Sequence, residues 1–247
     1  MDSVNERSWS ARIRPLVPPL LLEIYRKARY GSAYQPQNGT KLNQVQFSLP
    51  ERSLEELLPG VESILVTTPV SELYRPRDMV VPLPELLTLA GICRYLKPQR
   101  IFEIGTYTGS STLVMAINTP DETEIFTLDL EPSERIGSVF RDKPNSSKVH
   151  QVYGNSLTFD YSPYERSVDL VLVDANHSYE CVSSDTEKAF AMLRPGGVIV
   201  WDDYRWLEIH SECVGVTLCL NDLQKSRALF SIAGTRFAIY IDNGSNH

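Results

Sequence analysis

Apolar and polar positions along the chain from about residue 84 onward predict strands and helices in alternation. Short apolar-rich runs have the composition of strands buried in a parallel sheet. Between these runs, apolar residues recur at helical spacing, as from Pro84 to Leu96, where Pro98 ends the helix. The predicted strands are Arg100 to Ile104, Glu124 to Leu130, Val149 to Tyr153, Val168 to Asp174 and Val198 to Trp201.

The C-terminal part continues the pattern and then changes it. A helix is predicted from Tyr179 to Leu193, with Gly196 and Gly197 at its C-terminal turn. Another helix is predicted from roughly His210 to Lys225. Two short runs, Ala228 to Ile232 and Phe237 to Ile241, flank a glycine-containing loop and predict a β-hairpin. The whole predicts five β/α units closed by a hairpin.

The N-terminal part of the chain lacks this alternation. A short helix is predicted from Leu20 to Tyr30, and the polar piece from Gly31 to Asn43 is typical of a loop. Ser53 and Glu56 have the spacing of a helix capping box. We therefore expect residues 1 to about 75 to lie outside the sheet. A lid, an oligomer surface and simple packing on the sheet all remain open for this extension.

Composition and charge narrow the possible partners. The 247 residues carry a net charge of -7, which argues against a nucleic acid or an anionic membrane as partner. No apolar run is long enough to span a membrane or to act as a secretion signal. The cysteines show no C-x-x-C spacing, which favours reduced core thiols and a cytoplasmic protein. They are Cys93, Cys181, Cys213 and Cys219.

The turn after the first long strand indicates the class of ligand. Glu103, Gly105 and Gly109 form an E-x-G-x-x-x-G pattern between that strand and the next helix. A dinucleotide site needs G-x-G-x-x-G so that the backbone can approach a pyrophosphate. A carboxylate at the strand end disfavours phosphate and suits a cationic ligand. S-adenosylmethionine, with its sulfonium and amino group, is such a ligand.

Acidic or polar residues end every predicted parallel strand. Because ligands of open α/β sheets bind outside the carboxyl ends of the strands, these side chains are candidates for one shared site. An acid at the end of the second long strand can accept hydrogen bonds from ribose hydroxyls. The strand-end residues are Glu103, Asp129, Ser156, Asp174, Asp202 and Asp203.

Three of these carboxylates predict a metal site. Asp174, Asp202 and Asp203 end neighbouring strands and would repel one another unless a cation lay between them. Mg²⁺ takes oxygen ligands and would lower the pKa of a bound substrate hydroxyl. His177, three residues after Asp174, is placed to act as general base. Helix capping by Asp202 or Asp203, and an N-cap neighbour role for His177, remain open.

Each aromatic residue near the strand ends has two possible roles. Tyr107 could line the methionine portion of the cofactor or pack as an ordinary aromatic residue. Trp201, Tyr204 and Trp206 could form a wall for substrate or belong to the core.

Several segments together resemble the metal-dependent class I O-methyltransferases. They are most similar to the macrolide-sugar O-methyltransferases of antibiotic pathways and more distantly similar to catechol O-methyltransferase. The resemblance covers about residues 79 to 242. The segments that carry it are Glu103 to Ser111 (EIGTYTGSS), Asp129, Asp174 to Glu180 (DANHSYE) and Arg194 to Tyr204 (RPGGVIVWDDY).

The resemblance implies a Rossmann-like α/β sheet of seven strands in the order 3-2-1-4-5-7-6, the last antiparallel. It implies an N-terminal helical extension over residues 1–78 and an S-adenosylmethionine-binding domain over residues 79–247. Asp174, Asp202 and Asp203 would bind Mg²⁺, and His177 and Asp174 would be catalytic. The implied cofactor-binding residues are Met79, Val81, Glu103, Gly105, Tyr107, Ser111, Asp129, Leu130, Asn155, Ser156 and Asp174.

Two positions depart from the catechol enzymes and bear on the substrate. His177 stands where those enzymes have a lysine, and Asp203 stands where they have an asparagine. Both favour the hydroxyl of a sugar or another small natural product over a catechol. The resemblance also implies a homo-oligomer. A metal-independent methyltransferase with His177 as base, and a non-catalytic binding module of this fold, are the alternatives.

Overall fold

The structure, a computed structural model, describes residues 45–68, 81–205 and 213–244. Its centre is a single eight-stranded sheet. The strands are β1 (Glu51–Arg52), β2 (Arg100–Ile104), β3 (Glu124–Asp129), β4 (Val149–Tyr153), β5 (Val168–Val173), β6 (Leu193–Trp201), β7 (Leu229–Ile232) and β8 (Ala238–Ile241).

The strand order across the sheet is β1-β7-β8-β6-β5-β2-β3-β4. All described pairs are parallel except the two made by β8, which runs antiparallel to both β6 and β7. When the strands are counted from β2, this is the predicted order 3-2-1-4-5-7-6 with the last strand antiparallel. The predicted fold class is confirmed.

Helices cover both faces of the sheet. Among the described residues, no helix is long and apolar enough to cross a membrane. The helices are α1 (Leu54–Leu57), α2 (Leu83–Leu96), α3 (Ser110–Ile117), α4 (Tyr179–Met192) and α5 (Val214–Leu223), with 3₁₀ turns at Val61–Ser63, Pro144–Lys148 and Ser162–Tyr164.

Alternate residues of the buried strands supply two separate cores. In β2, Phe102 and Ile104 join the core that includes residues of α4 and α5, whereas Ile101 joins the core that includes residues of α2 and α3. This follows from the two-residue period of a strand, whose successive side chains point to opposite faces. The same alternation turns Glu103 toward the face of Ile101 and hence toward α3.

The expectation that the first 75 or so residues stand apart from the sheet is wrong at one place. Glu51 and Arg52 form β1, which pairs in parallel with β7 at the sheet edge. Two residues carry too little pattern for a sequence to predict a strand, and the pairing depends on the distant β7. The capping box of Ser53 and Glu56 is confirmed, with reciprocal bonds of 3.2 and 2.7 Å.

Other N-terminal predictions cannot be compared with the structure. The predicted helix Leu20 to Tyr30 and the loop Gly31 to Asn43 lie outside the described residues. So do Met79 and Trp206.

The glycine pair predicted at the end of a helix instead lies inside β6. That strand begins at Leu193, and its register to β5 is interrupted between the pairs Val168–Leu193 and Leu170–Val198. The extra residues form a bulge, and Gly196 adopts φ +80° in it. The prediction was wrong because a strand bulge and a helix C-terminus both call for a left-handed glycine.

Candidate active site

A cleft of about 710 Å³ opens at the carboxyl ends of β2, β3, β4 and β5. The predicted cofactor residues that line it are Gly105, Tyr107, Asp129, Leu130, Asn155, Ser156 and Asp174.

Gly105 allows the two central strands to end side by side beneath this cleft. It has φ +108°, and a Cβ there would lie 2.0 Å from the carbonyl oxygen of Asp174. The amide of Asp174 in turn donates to the carbonyl of Ile104 at 2.8 Å. No side chain larger than hydrogen fits at this crossing, which is why the motif has glycine here.

Asp129 organises the turn that follows β2. Its Oδ2 accepts the amide of Tyr107 at 2.8 Å and its Oδ1 accepts the amide of Leu130 at 2.8 Å. Asp129 also lines the cleft, so its carboxylate lies within reach of a ligand there. The guanidinium of Arg135 lies 4.5 Å from the Tyr107 ring centroid and shapes the same wall.

Glu103 and Ser111 lie beside the cleft and do not line it. Glu103 is fully buried, and its two oxygens accept hydrogen bonds from the hydroxyls of Ser111, Thr112 and Thr127. Burial raises the pKa of Glu103 to about 7, and these hydroxyls oppose the rise. The predicted contact of Glu103 and Ser111 with the cofactor stays a prediction. In the structure this carboxylate ties α3 to β2 and β3.

Val81 also lies away from the cleft lining, because it packs against the small core between α2 and α3. Trp201 and Tyr204 are fully buried in the main core. Trp201 Nε1 donates to Thr186 at 2.9 Å, and the hydroxyl of Tyr204 accepts the amide of Leu49 at 2.9 Å. The structure therefore supports the core interpretation for Tyr204, whereas Trp201 belongs to the core and also lines a small cavity with Asp174 and His177.

The three predicted metal ligands converge at the ends of β5 and β6. One oxygen from each of Asp174, Asp202 and Asp203 lies within 4.8 Å of the others. Asp202 Oδ1 accepts the amide of Asp203 at 2.7 Å, which holds the two consecutive carboxylates apart. Asp203 has φ +63°, a conformation that costs a non-glycine residue strain and is found mostly at functional sites.

A buried arginine that the sequence reasoning missed contacts two of these carboxylates. Arg236 Nη2 lies 3.1 Å from Asp202 Oδ2, and its Nη1 lies 3.0 Å from Asp203 Oδ1. Its Nε lies 3.3 Å from Glu85 Oε1, and its backbone amide donates to the same oxygen at 3.0 Å. Glu85 is in the first turn of α2 and Arg236 is in the loop between β7 and β8. Nothing in the sequence pattern links these two positions.

His177 is held against the same cluster. Its Nε2 lies 3.1 Å from Asp203 Oδ2, and Cys213 Sγ lies 3.6 Å from that oxygen. Gly215 on α5 makes the arrangement possible, because a Cβ there would lie 2.3 Å from the carbonyl oxygen of His177. The N-cap of α4 is Ser178, whose side chain accepts the amide of Cys181, so His177 is the neighbour of the cap.

The charges of this cluster are coupled through burial. Burial raises the pKa of Asp174 well above its ordinary value, and the charges of Asp202 and Asp203 raise it further. Burial and Asp203 raise the pKa of Asp202 to about 7. For Asp203 the effect of burial is outweighed by His177 and Arg236, which hold its pKa below the ordinary value.

The pKa of His177 moves in the opposite sense to what its burial alone would cause. Burial lowers the pKa of an imidazole, but hydrogen bonds with Asp203 and Cys213 outweigh it. The pKa of His177 therefore lies well above its ordinary value. This histidine is a stronger base than a free imidazole.

The carboxylate cluster fits a divalent cation in both donor type and charge. Carboxylate oxygens are the preferred ligands of Mg²⁺. Four carboxyl groups (Asp174, Asp202, Asp203 and Glu85) face two cationic side chains, Arg236 and His177. Burial is the main cause of the raised pKa values of Asp174 and Asp202, and the neighbouring carboxylates raise them further.

Comparison with known proteins agrees with this architecture. Residues 102–204 match the family model of a methyltransferase domain. Caffeoyl-CoA O-methyltransferase of Stellaria longipes is 25% identical over 125 residues, which are 48% of this chain and 51% of the relative. Catechol O-methyltransferase domain-containing protein 1 of Mus musculus is 27% identical over 158 residues, 61% of this chain and 58% of the relative. The chain thus spans somewhat more than half the length of these relatives.

Solved structures share the fold over most of the chain. The O-methyltransferase TomG of Streptomyces achromogenes, in complex with SAM, is 20% identical with a TM-score of 0.57 and covers 91% of this chain and 96% of that one. An O-methyltransferase of Bacillus cereus, in complex with SAH, is 18% identical with a TM-score of 0.53 and covers 90% and 97%. The resemblance of this chain to the S-adenosylmethionine-dependent class I O-methyltransferases, predicted from its sequence, is confirmed.

Proposed function

We propose that this chain transfers a methyl group from S-adenosylmethionine to a hydroxyl of a small natural product, such as a sugar, with Mg²⁺ as cofactor. One observation carries the proposal. Asp174 lines the 710 Å³ cleft and also belongs to the carboxylate cluster with Asp202 and Asp203. A methyl donor in the cleft and an acceptor hydroxyl held at the cluster would therefore meet at Asp174.

The cleft supports S-adenosylmethionine through groups of suitable chemistry. Asp129 has acceptor capacity for ribose hydroxyls, and Asn155 and Ser156 provide polar groups at the end of β4. The carboxylate of Asp174 suits a cationic donor group. NAD is disfavoured because the turn at Gly105 lacks the third glycine of a pyrophosphate site.

The carboxylate cluster supports the magnesium prediction. Asp174, Asp202 and Asp203 would hold the ion, which when bound would acidify and orient a substrate hydroxyl. A metal-independent reaction is the second candidate, and the ion pairs of Arg236 with Asp202 and Asp203 favour it, because they already supply one positive charge.

His177 is placed to accept the proton of the substrate hydroxyl. The neutral form of His177 would accept this proton, and Asp203 Oδ2 would stabilise the imidazolium that forms. Because Asp203 raises the pKa of His177, the neutral form becomes more populated as the pH rises. As the hydroxyl oxygen attacks the methyl carbon, the carbon–sulfur bond breaks and S-adenosylhomocysteine leaves neutral. The rate would come mainly from holding donor and acceptor in line.

The relatives suggest a class of acceptor without fixing one. One relative is named a caffeoyl-CoA O-methyltransferase, and another is named a catechol O-methyltransferase domain-containing protein. Both names refer to the methylation of small molecules. The likeness to macrolide-sugar enzymes, a homo-oligomeric state and a cytoplasmic location stay predictions.

Calorimetric titration of the full chain with S-adenosylmethionine, S-adenosylhomocysteine and NAD tests the proposal, with Mg²⁺ and with chelator. We expect binding of both adenosyl ligands and no binding of NAD. Asp174→Ala should abolish metal-stimulated methyl transfer while S-adenosylhomocysteine still binds. Glu122→Ala, which removes an exposed acid, is the matched control.

Each possible failure has a distinct meaning. Full activity of Asp174→Ala in chelator would exclude the metal and leave His177 as the only prepared base. If neither adenosyl ligand bound, the interpretation of this chain as a methyltransferase would be wrong, and a non-catalytic binding module of this fold would be favoured.

A further inference from the structure

Arg236 is the residue of the site that the proposed reaction does not use. Its side chain is 12% exposed and contacts Asp202, Asp203 and Glu85. We propose that Arg236 is a built-in competitor of the divalent cation, which holds Asp202 and Asp203 in the metal-free protein and moves onto Glu85 when a metal binds. The inference rests on the proposed function only in that the metal would serve methyl transfer. The competition between Arg236 and the metal can be measured without that reaction.

The ion pairs show that Arg236 contacts two of the three carboxylates of the candidate metal site. Nη1 and Nη2 of Arg236 contact Asp203 Oδ1 and Asp202 Oδ2, at 3.0 and 3.1 Å. The remaining oxygens of this pair face the amide of Asp203 and the imidazole of His177. A cation bound by both aspartates would therefore bind the oxygens that Arg236 contacts or the oxygens directly beside them. Two cations at adjoining carboxylates also repel each other.

Glu85 provides a second position for the guanidinium. Its Oε1 already accepts the backbone amide of Arg236 and contacts its Nε. Its Oε2 is buried and has no hydrogen-bond partner among the described residues. A buried carboxylate oxygen without a partner is costly, and a rotated guanidinium would satisfy it.

The ion pair of Arg236 with Asp203 also lacks a hydrogen bond, which makes it easier for the guanidinium to leave Asp203. Asp203 Oδ1 lies near Arg236 Nη1, but the geometry does not make a hydrogen bond, and this oxygen too is buried without one. Arg236 thus sits between two acceptors, each partly satisfied. The backbone amide bond to Glu85 fixes the β7–β8 loop on α2, so only the side chain has to move.

Mn²⁺ titration of the purified full chain, followed by electron paramagnetic resonance, tests this inference directly. Arg236→Met should bind Mn²⁺ about tenfold or more tightly than the wild type, because the competitor is gone. Glu85→Gln should bind it more weakly, since the displaced arginine loses its alternative partner. Arg236→Lys keeps the charge but cannot bridge both aspartates, and we expect intermediate affinity.

The control is Arg194→Met. It removes one positive charge from the ion pair with Asp169, which lies away from the cluster, and should leave Mn²⁺ affinity unchanged. Binding of S-adenosylhomocysteine by each variant verifies folding and separately tests the proposed cofactor site.

Two results would overturn the inference. One is equal Mn²⁺ affinity in the wild type, Arg236→Lys and Arg236→Met. The other is no saturable Mn²⁺ binding by Arg236→Met or Arg236→Lys when either still binds S-adenosylhomocysteine. Loss of S-adenosylhomocysteine binding by the wild type would count against the proposed function alone.

Discussion

Two groups of carboxylates lie at the carboxyl edge of the same sheet, and they differ in what neutralises them. At the ends of β2 and β3, Glu103 accepts hydrogen bonds from hydroxyls and Asp129 accepts hydrogen bonds from backbone amides. At the ends of β5 and β6, Asp174, Asp202 and Asp203 face one another, a guanidinium and an imidazole. Neutral donors fix a carboxylate in one place, whereas charged partners can be exchanged for other ions.

The origin of the partners explains this difference. The donors to Glu103 come from α3 and from its neighbour in register on β3, so most of them are supplied by one βα unit. The partners of Asp202 and Asp203 come from the β7–β8 loop, the segment between β5 and α4, and the residue before α5. The first group is built into a local motif, while the second assembles only when distant elements meet.

The largest effect on stability is expected at Gly105, where the end of β2 lies against the backbone of Asp174. Gly105→Ala would place a Cβ 2.0 Å from the carbonyl oxygen of Asp174 at φ +108°. We expect a loss of more than about 4 kcal/mol in the free energy of unfolding, from strain and backbone collision together. Urea unfolding measures it.

Gly196→Ala is the matched control for that change. Gly196 also has positive φ, but no atom lies within 4 Å of its Cβ position. The backbone strain alone should cost about 1–2 kcal/mol. Equal losses in the two variants would show that the two strand ends are not in the close contact described.

The second effect is a pH dependence of stability that comes from Glu103, whose carboxylate is held by neutral donors. Burial raises the pKa of Glu103 from 4.5 to about 7. The stabilising contribution of its protonated form is present below pH 4.5 and is lost as the pH rises through about 7. Between about pH 5 and about pH 8 the wild type should therefore lose up to about 3 kcal/mol relative to Glu103→Gln.

Unfolding by urea across this pH range measures the difference. Glu122→Gln, an exposed acid, should show no such divergence from the wild type. A constant difference between the wild type and Glu103→Gln would mean that the three hydroxyl donors keep this carboxyl ionised at all of these pH values.

The smallest effect distinguishes the two aspartates of the exchangeable group. Asp203 raises the pKa of His177 by a hydrogen bond and by its charge, whereas Asp202 does not contact the ring. In the metal-free protein, Asp203→Asn should lower the pKa of His177 back toward its ordinary value, because the effect of burial is then less opposed. The imidazole proton resonances, followed by NMR during pH titration, give the value.

Asp202→Asn is the control and should shift the pKa of His177 much less. Similar shifts in the two variants would show that His177 senses the net charge of the cluster, and that no specific pair with Asp203 exists.

Much of this fold was predictable from local pattern. The strands β2, β3, β4 and β5 were predicted to within one residue, because buried apolar runs bounded by turn residues leave little choice. The acids at the strand ends were predicted to lie near one another, because parallel strands bring their carboxyl ends to one edge of the sheet. The prediction failed where one signal has two meanings, as with Gly196, and where an element is too short, as with β1.

The sequence by itself determined the sheet, the position of Gly105 and the carboxylates at the strand ends, because each depends on neighbouring residues. Only the tertiary structure decided that Arg236 and Glu85 enter the carboxylate cluster and that Gly215 admits the loop of His177. Those contacts join residues far apart in the chain. Their energies depend on burial and charge at the point of contact, which no local pattern of residues encodes.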